Sequence, residues 1–236
     1  MSQRYFLAQP PEGHTAVLTG DEARHLSRVM RAKPGDRLTL FDGAGHSWPA
    51  TISSIDRNRV ELTLGEVVSE PTSTNRAVTL AVALPKGDRQ KWLIEKLTEL
   101  GVTRLIPLRC TRSVAEPTAT ALDRMRRGVI EACKQCGRSR LLEIAPSQSL
   151  TTLLASKTGT NLRLLTDPEG MPFATIDADG SSDLLVLIGP EGGFTPDEIT
   201  AAKAAGFIRV SLSRQILRIE TAAIALAAIT GQVFAD

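Results

Sequence analysis

The chain reads as a two-part α/β protein, a small β-barrel followed by a larger domain built on a buried, largely parallel sheet. Three observations point there. Short segments of alternating polarity before residue 70 read as strands, and apolar runs alternating with helical segments after residue 76 read as βα units. Between them lies a polar stretch, Pro71-Thr72-Ser73-Thr74-Asn75, with the composition of a linker. The first domain is therefore assigned to residues 1–72 and the second to 76–236.

In the first region, Arg37 to Phe41, Trp48 to Ile55 and Val60 to Val67 are predicted strands, punctuated by Pro34-Gly35 and Asp42-Gly43 turns. One helix is predicted from about Asp21 to Ala32, with Leu26, Val29 and Met30 facing the barrel. Arg24, Arg28 and Arg31 then fall at i, i+4 and i+7 on one outward stripe, either a solvated face or a phosphate-binding one. In the second region the predicted strands are Ala77 to Leu84, Leu105 to Leu108, Leu162 to Leu165, Leu184 to Ile188 and Ile208 to Leu212. A helix from Asp88 to Leu100 ends at Gly101. A second, Ala121 to Cys136, turns Leu122, Met125, Val129, Cys133 and Cys136 inward. The last helix, Glu220 to Thr230, is apolar on nearly every side, so the core or another subunit must cover it.

With 236 residues and 42% apolar content, the chain can bury a core in each region. Its start carries Arg4 and breaks at Pro10-Pro11, unlike a signal peptide, and Ala222 to Ile229 is too short to span a bilayer. A cytoplasmic protein with no membrane role is expected. Three cysteines, Cys110, Cys133 and Cys136, fit a reducing compartment. Cys133-Lys134-Gln135-Cys136 has the spacing of a redox or zinc site, but it closes a helix, where the dipole disfavours a thiolate, and no second ligand pair exists. Packing is the better reading, and no metal is expected. The net charge of +2 hides a strongly basic middle: residues 76–140 hold 14 basic and 6 acidic groups, which suits a phosphate-rich partner.

The sharpest motif is Ile188-Gly189-Pro190-Glu191-Gly192-Gly193-Phe194-Thr195-Pro196-Asp197-Glu198, a strand, a glycine loop and a helix start. Thr195, Pro196 and Glu198 form a capping signature, and the glycines let backbone approach a ligand at the carboxyl end of a strand. On spacing alone a tight structural turn is an equal reading. A second motif, Leu212-Ser213-Arg214-Gln215-Ile216-Leu217-Arg218-Ile219-Glu220-Thr221-Ala222, opens an apolar helix with a carboxylate in its first turn. Burying that helix should draw Arg218 and Glu220 towards the core, where charges are partnered or used.

Together the two motifs, in this order, resemble the ribosomal RNA small subunit methyltransferase E family, the uridine N3 methyltransferases of the SPOUT superfamily. Collinear matches extend over nearly the whole chain: Arg24-His25-Leu26 through Met30-Arg31, Lys33-Pro34-Gly35-Asp36, Phe41-Asp42-Gly43, Lys86-Gly87-Asp88-Arg89, Glu95 to Val102, and Glu131 to Arg138. The resemblance implies an N-terminal PUA-like barrel for RNA and a C-terminal SPOUT domain with a trefoil knot, paired as a homodimer through the knots. It further implies S-adenosylmethionine as cofactor and 16S rRNA, within the assembled small ribosomal subunit, as substrate. Carried onto this chain, the cofactor loops contribute Leu165 and Thr166, then Gly189, Pro190, Glu191, Gly192 and Gly193, then Leu212, Ile216, Leu217 and Thr221. Arg218 and Glu220 are the expected catalytic pair, the first stabilising an anionic uracil and the second, or a water, accepting its proton. Arg4, Arg24, Arg28, Arg31, Lys86, Arg89, Arg112 and Arg138 are expected to contact phosphates.

The chain departs from the family's Leu-Gly-x-Arg-Ile-Leu-Arg-Thr-Glu-Thr pattern at Ser213, Gln215 and Ile219. A serine there would restrict the loop if a positive φ were required. The alternative function is a non-catalytic RNA-binding or ribosome-assembly protein of the same fold, which has no reason to bind the cofactor.

Overall fold

A computed structural model describes residues 3–70, 77–114, 116–156, 162–176 and 183–233, and these divide into two compact units. The expected linker at 71–75 lies outside the described residues. The first unit comprises residues 1–73 with 130–141, and the second comprises 74–129 with 142–236.

The first unit is one sheet of β1 (Arg4–Phe6), β2 (Thr15–Thr19), β3 (Arg37–Phe41), β4 (His46–Ile55), β5 (Arg59–Leu64) and β6 (Val68–Ser69). Its strand path is β1-β3-β4-β5-β2, with β6 on β4. All pairings are antiparallel except β1 on β3, whose register sets Tyr5 against Leu40. Period-two alternation is clean in β5, where Val60, Leu62 and Leu64 point inward between exposed residues. They join Leu18, Leu38, Leu40 and Ile52 in a single apolar core. Residues 130–141 belong here through specific bonds. Lys134 pairs with Glu22 and Glu131, Arg4 donates to Ser139 Oγ at 2.8 Å, and Leu141 N–H donates to Gly43 O at 3.0 Å.

Helix α1 (Gly20–Arg24) seals this core with Ala23, then widens into a π-turn, His25–Val29, in which Met30 N–H reaches back five residues to His25 O. The extra residue in that turn rotates the side chains beyond it. Leu26 remains fully buried, but Val29 is 66% and Met30 39% exposed, contrary to the regular 3.6-residue expectation. Arg31, at φ +51°, ends the segment, leaving Arg24, Arg28 and Arg31 exposed.

The second unit is a parallel α/β domain. Its strands are β7 (Val78–Val82), β8 (Arg104–Arg109), β9 (Glu143–Ile144), β10 (Gln148–Ser149), β11 (Leu162–Pro172), β12 (Leu184–Ile188) and β13 (Ile208–Ser211). They run β10-β8-β7-β12-β11-β13, with β9 on β8, and every pairing is parallel. All five residues of β12 are buried, as two-sided cover demands of a central parallel strand. Helices α4 (Leu150–Ala155) and α5 (Pro196–Ala204) share a core with the strands, α6 (Ile219–Val233) packs on β7 and β12, and α2 (Asp88–Glu99) packs on α6. Helix α3 (Ala119–Cys136) begins in this unit and ends in the first.

Gly101, at φ +79°, stops α2 as its composition predicts. Along α3, Met125, Val129 and Cys133 are buried, while Leu122 is half-buried and Cys136 exposed, so the apolar face ends a turn earlier than its spacing suggests. Burial pushes the Cys110 and Cys133 thiols up to about 12, with Glu198 adding to the first, so both behave as small apolar groups. Helix α6 packs Ala223, Leu226 and Ala227 fully inward; Ile224, Ala225, Ala228 and Ile229 are half-exposed. No helix among the described residues is long and apolar enough to cross a membrane.

Candidate cofactor site

At the carboxyl end of β12 the chain turns through Gly189 to Gly193 and enters α5. The predicted capping box is present: Thr195 Oγ1 accepts from Glu198 N–H, Glu198 Oε2 accepts from Thr195 N–H at 2.8 Å, and Pro196 occupies the first turn. Glu198 does more than cap. Its other oxygen accepts from Thr111 N–H at 2.7 Å and from Thr111 Oγ1 at 3.0 Å, tying the segment after β8 to the start of α5. Burial works to raise the Glu198 carboxyl, but the donors on Thr111 and Thr195 outweigh it and hold the group below its ordinary 4.5. A depressed carboxylate contributes stability that is complete above its unfolded pKa and lost as pH falls through the folded one. The Tm of the wild type is therefore expected to drop as pH falls from above 4.5 into the more acidic range, and E198Q to flatten that dependence in a thermal-melt series. Parallel curves for the two proteins would remove the assignment.

The glycine turn and the segment after β13 meet in space. A cavity of about 300 Å³ lies between them at the carboxyl ends of β12 and β13 and beside Thr166 to Pro168 of β11. Its walls include all five residues Gly189 to Gly193 together with Leu212, Ile216 and Leu217. Of the expected cofactor residues, Thr166 is on the wall, whereas Leu165 lies in the sheet core and Thr221 is exposed outside the cavity. Ile219 and Ala222 line it from the start of α6.

Asp167, the end of the first expected cofactor loop, also lines the cavity, and so do Pro168 and Phe194, which sequence reasoning passed over. Asp167 pairs with Arg209 at 3.0 Å, and the Phe194 ring lies 2.8 Å from where a Cβ on Gly189 would stand. An aromatic closing a run of glycines is the one local sign that the turn has a packed floor. Ser213 is not strained, since among the described residues Arg31 alone has a positive φ without being glycine. Instead Ser213 Oγ accepts from Gln215 N–H at 3.1 Å and lies 3.3 Å from Gln215 Oε1, so two of the departures from the family pattern satisfy each other.

The expected catalytic pair divides. Glu220, in the first turn of α6, is 4% exposed, and its Oε2 is buried with no hydrogen-bond partner among the described residues. Arg218 is exposed, between the wall residues Leu217 and Ile219, rather than drawn into the core with Glu220. Arg218 is the N-cap of α6, its carbonyl accepting from Ala222 N–H at 2.9 Å, so it stands ahead of the helix whose burial was expected to draw it inward.

The arginines and lysine expected on phosphates are engaged unequally. In the first unit Arg4 is held by Ser139 and lies over the Phe41 ring at 5.1 Å, Arg24 pairs with Asp21, and burial lowers the half-buried Arg138. Arg28 and Arg31 make no ion pair among the described residues and are exposed. In the second unit Lys86 is exposed and without an ion pair among the described residues. Arg89 Nη1 bonds Glu191 Oε1 at 2.8 Å and lies 3.7 Å from Glu220 Oε1, and Arg112 Nη1 donates to Gly192 O at 2.6 Å.

A parallel sheet with a glycine turn and a crevice at its strand ends is the arrangement with which open α/β sheets bind a small ligand. A family model described as an RNA methyltransferase domain matches residues 72–231, and one described as an RNA methyltransferase PUA domain matches residues 18–65. Ribosomal RNA small subunit methyltransferase E of Synechocystis sp. is 34% identical, covering 88% of this chain and 70% of its own. The Bacillus subtilis protein of that name is 30% identical, covering 98% and 96%. Among solved structures, ribosomal RNA small subunit methyltransferase E from Neisseria gonorrhoeae bound to S-adenosyl methionine superposes with a TM-score of 0.89 at 30% identity, covering 99% of this chain and 98% of that one. A protein from Legionella pneumophila solved in complex with the same cofactor gives 0.88 at 26% identity, with the same coverage. The chain belongs to the ribosomal RNA small subunit methyltransferase E family.

Proposed function

We propose that this protein methylates the N3 of a specific uridine in 16S rRNA of the small ribosomal subunit, using S-adenosylmethionine, as a cytoplasmic homodimer. The observation that carries this reading is the single cavity formed jointly by Gly189 to Gly193 and the 212–222 segment. About 300 Å³ is at the lower end of small-molecule sites, and its walls suit the group: backbone from the glycine turn on one side, apolar Ile216 and Leu217 on the other. Residues Thr166, Gly189 to Gly193, Leu212, Ile216 and Leu217 would hold it. Bound there, the cofactor supplies an electrophilic methyl group.

The chain's own residues must then place a uracil in line with that methyl and help remove the N3 proton, because the protonated nitrogen is a poor nucleophile. Arg218 is exposed where an RNA base can reach it, and its guanidinium would hold the negative charge left on the ring. The unpartnered Oε2 of Glu220 is the candidate proton acceptor, directly or through a water. The trefoil knot belongs to the same proposal. So does pairing through α6, which the half-exposed apolar face of Ile224, Ala225, Ala228 and Ile229 supports.

The decisive experiment incubates the protein with radiolabelled cofactor and unmodified small subunits and maps the labelled base. Label at a uracil N3 is expected; unlabelled RNA, or label on a carbon or a ribose, would exclude the reading. RNA affinity should also fall steeply with salt. R28A and R31A are each expected to reduce the slope of log K against log salt by about one, since each removes one exposed phosphate-binding charge. A slope that neither variant changes would take the first domain's arginines out of the interface.

A further inference from the structure

We infer that Arg89 and Arg112 are positioning residues for the cofactor turn, and that Arg89 ties this turn to the carboxylate at the start of α6. The two arginines come from different elements, Arg89 from the first turn of α2, which follows β7, and Arg112 from the segment after β8. They grip adjacent residues, one through the Glu191 side chain and the other through the Gly192 carbonyl. Within the turn itself, Gly193 N–H donates to Pro190 O at 2.8 Å, and three glycines leave the backbone many alternatives. External anchors are therefore what narrow it to one shape.

Arg89 carries a second load. Glu220 Oε1 lies 3.7 Å from the nitrogen that bonds Glu191, and Arg89 is the cation paired with this buried carboxylate among the described residues. One guanidinium thus sits between a carboxylate fixed on α6 and one carried by the turn. It holds the two walls of the cavity at a set separation, and its planar fork serves this better than a lysine's single charge. The inference rests on the proposed function only in supposing that the cavity takes S-adenosylmethionine. It gives both arginines a different task from phosphate contact.

The two tasks predict different results. Calorimetry of the full chain with S-adenosylmethionine should show R89A weakening affinity by about ten-fold and E191Q by less, with the double variant no weaker than R89A alone, because E191Q removes one of the two contacts that R89A removes. R89K should recover only part of the loss. The salt slope of RNA binding should be unchanged in R89A, where a phosphate contact would lower it by about one. Amide hydrogen exchange, which needs no cofactor, should be about ten-fold faster at Gly192 and Gly193 in both R89A and R112A than in the wild type. If R89A is unstable because Glu220 is stranded, R112A reports on the same turn without disturbing a buried charge. Multiplicative losses in R89A and E191Q, or unchanged exchange in R112A, overturn the inference. A wild type that binds no S-adenosylmethionine defeats the proposed function instead, and the exchange measurement still decides this one.

Discussion

R218A is expected to lower turnover by about a hundred- to a thousand-fold while leaving S-adenosylmethionine affinity within about two-fold, the signature of a donor used only as charge develops. The exposed guanidinium makes no ion pair among the described residues, so no buried partner is stranded by its loss. Its neighbours Leu217 and Ile219, not Arg218 itself, line the cavity, which is why cofactor binding should survive. The check is steady-state methylation of small subunits alongside a cofactor titration of the same variant. Normal turnover would take Arg218 out of the chemistry, and a matching loss of affinity would make it a binding residue.

The second large effect is on stability. In β11 the register against β13 shifts between Thr166 and Met171, and within that irregularity Gly170 crosses the neighbouring strand closely. A Cβ there would stand 2.5 Å from Val210 N and 2.7 Å from Arg209 C, both backbone atoms with no rotamer to yield. G170A must therefore part β11 from β13, and we expect it to cost about 3 kcal/mol, at the upper end of overpacking effects. Because β13 delivers the chain to Leu212 and the second cavity wall, cofactor affinity should fall with it. Denaturant unfolding of the two proteins measures the first effect and calorimetry the second. A variant as stable as the wild type would mean that the strands can move apart at little cost.

Much of the second domain was legible because parallel strands buried on both faces leave continuous apolar runs, and Leu184 to Ile188 is recovered residue for residue. The capping box at Thr195 was legible because it is a local pattern with one geometric solution. What escaped is what depends on partners distant in sequence. Tyr5 is a core residue only because β1 lies parallel to β3, a pairing that three residues cannot announce. Val29 and Met30 face outward because of a π-turn invisible to a 3.6-residue count. In the site, the glycine turn and the 212–222 segment were readable as motifs. The hands that hold the turn were not, since Arg89 and Arg112 look like any basic residues until the sheet brings them to Glu191 and Gly192.

The order of the second sheet sets how late this protein can acquire its shape. Its middle seam joins β7 to β12, with Val78 facing Leu184, so that one pairing closes a very long loop, whereas β7 meets β8 and β12 meets β11 across much shorter ones. A chain emerging residue by residue could pair Val78 to Val82 with β8 early, but would hold the other edge of that strand open until its last quarter appears. Slow maturation, and dependence on protection from clumping during synthesis, are thus built into the strand order itself.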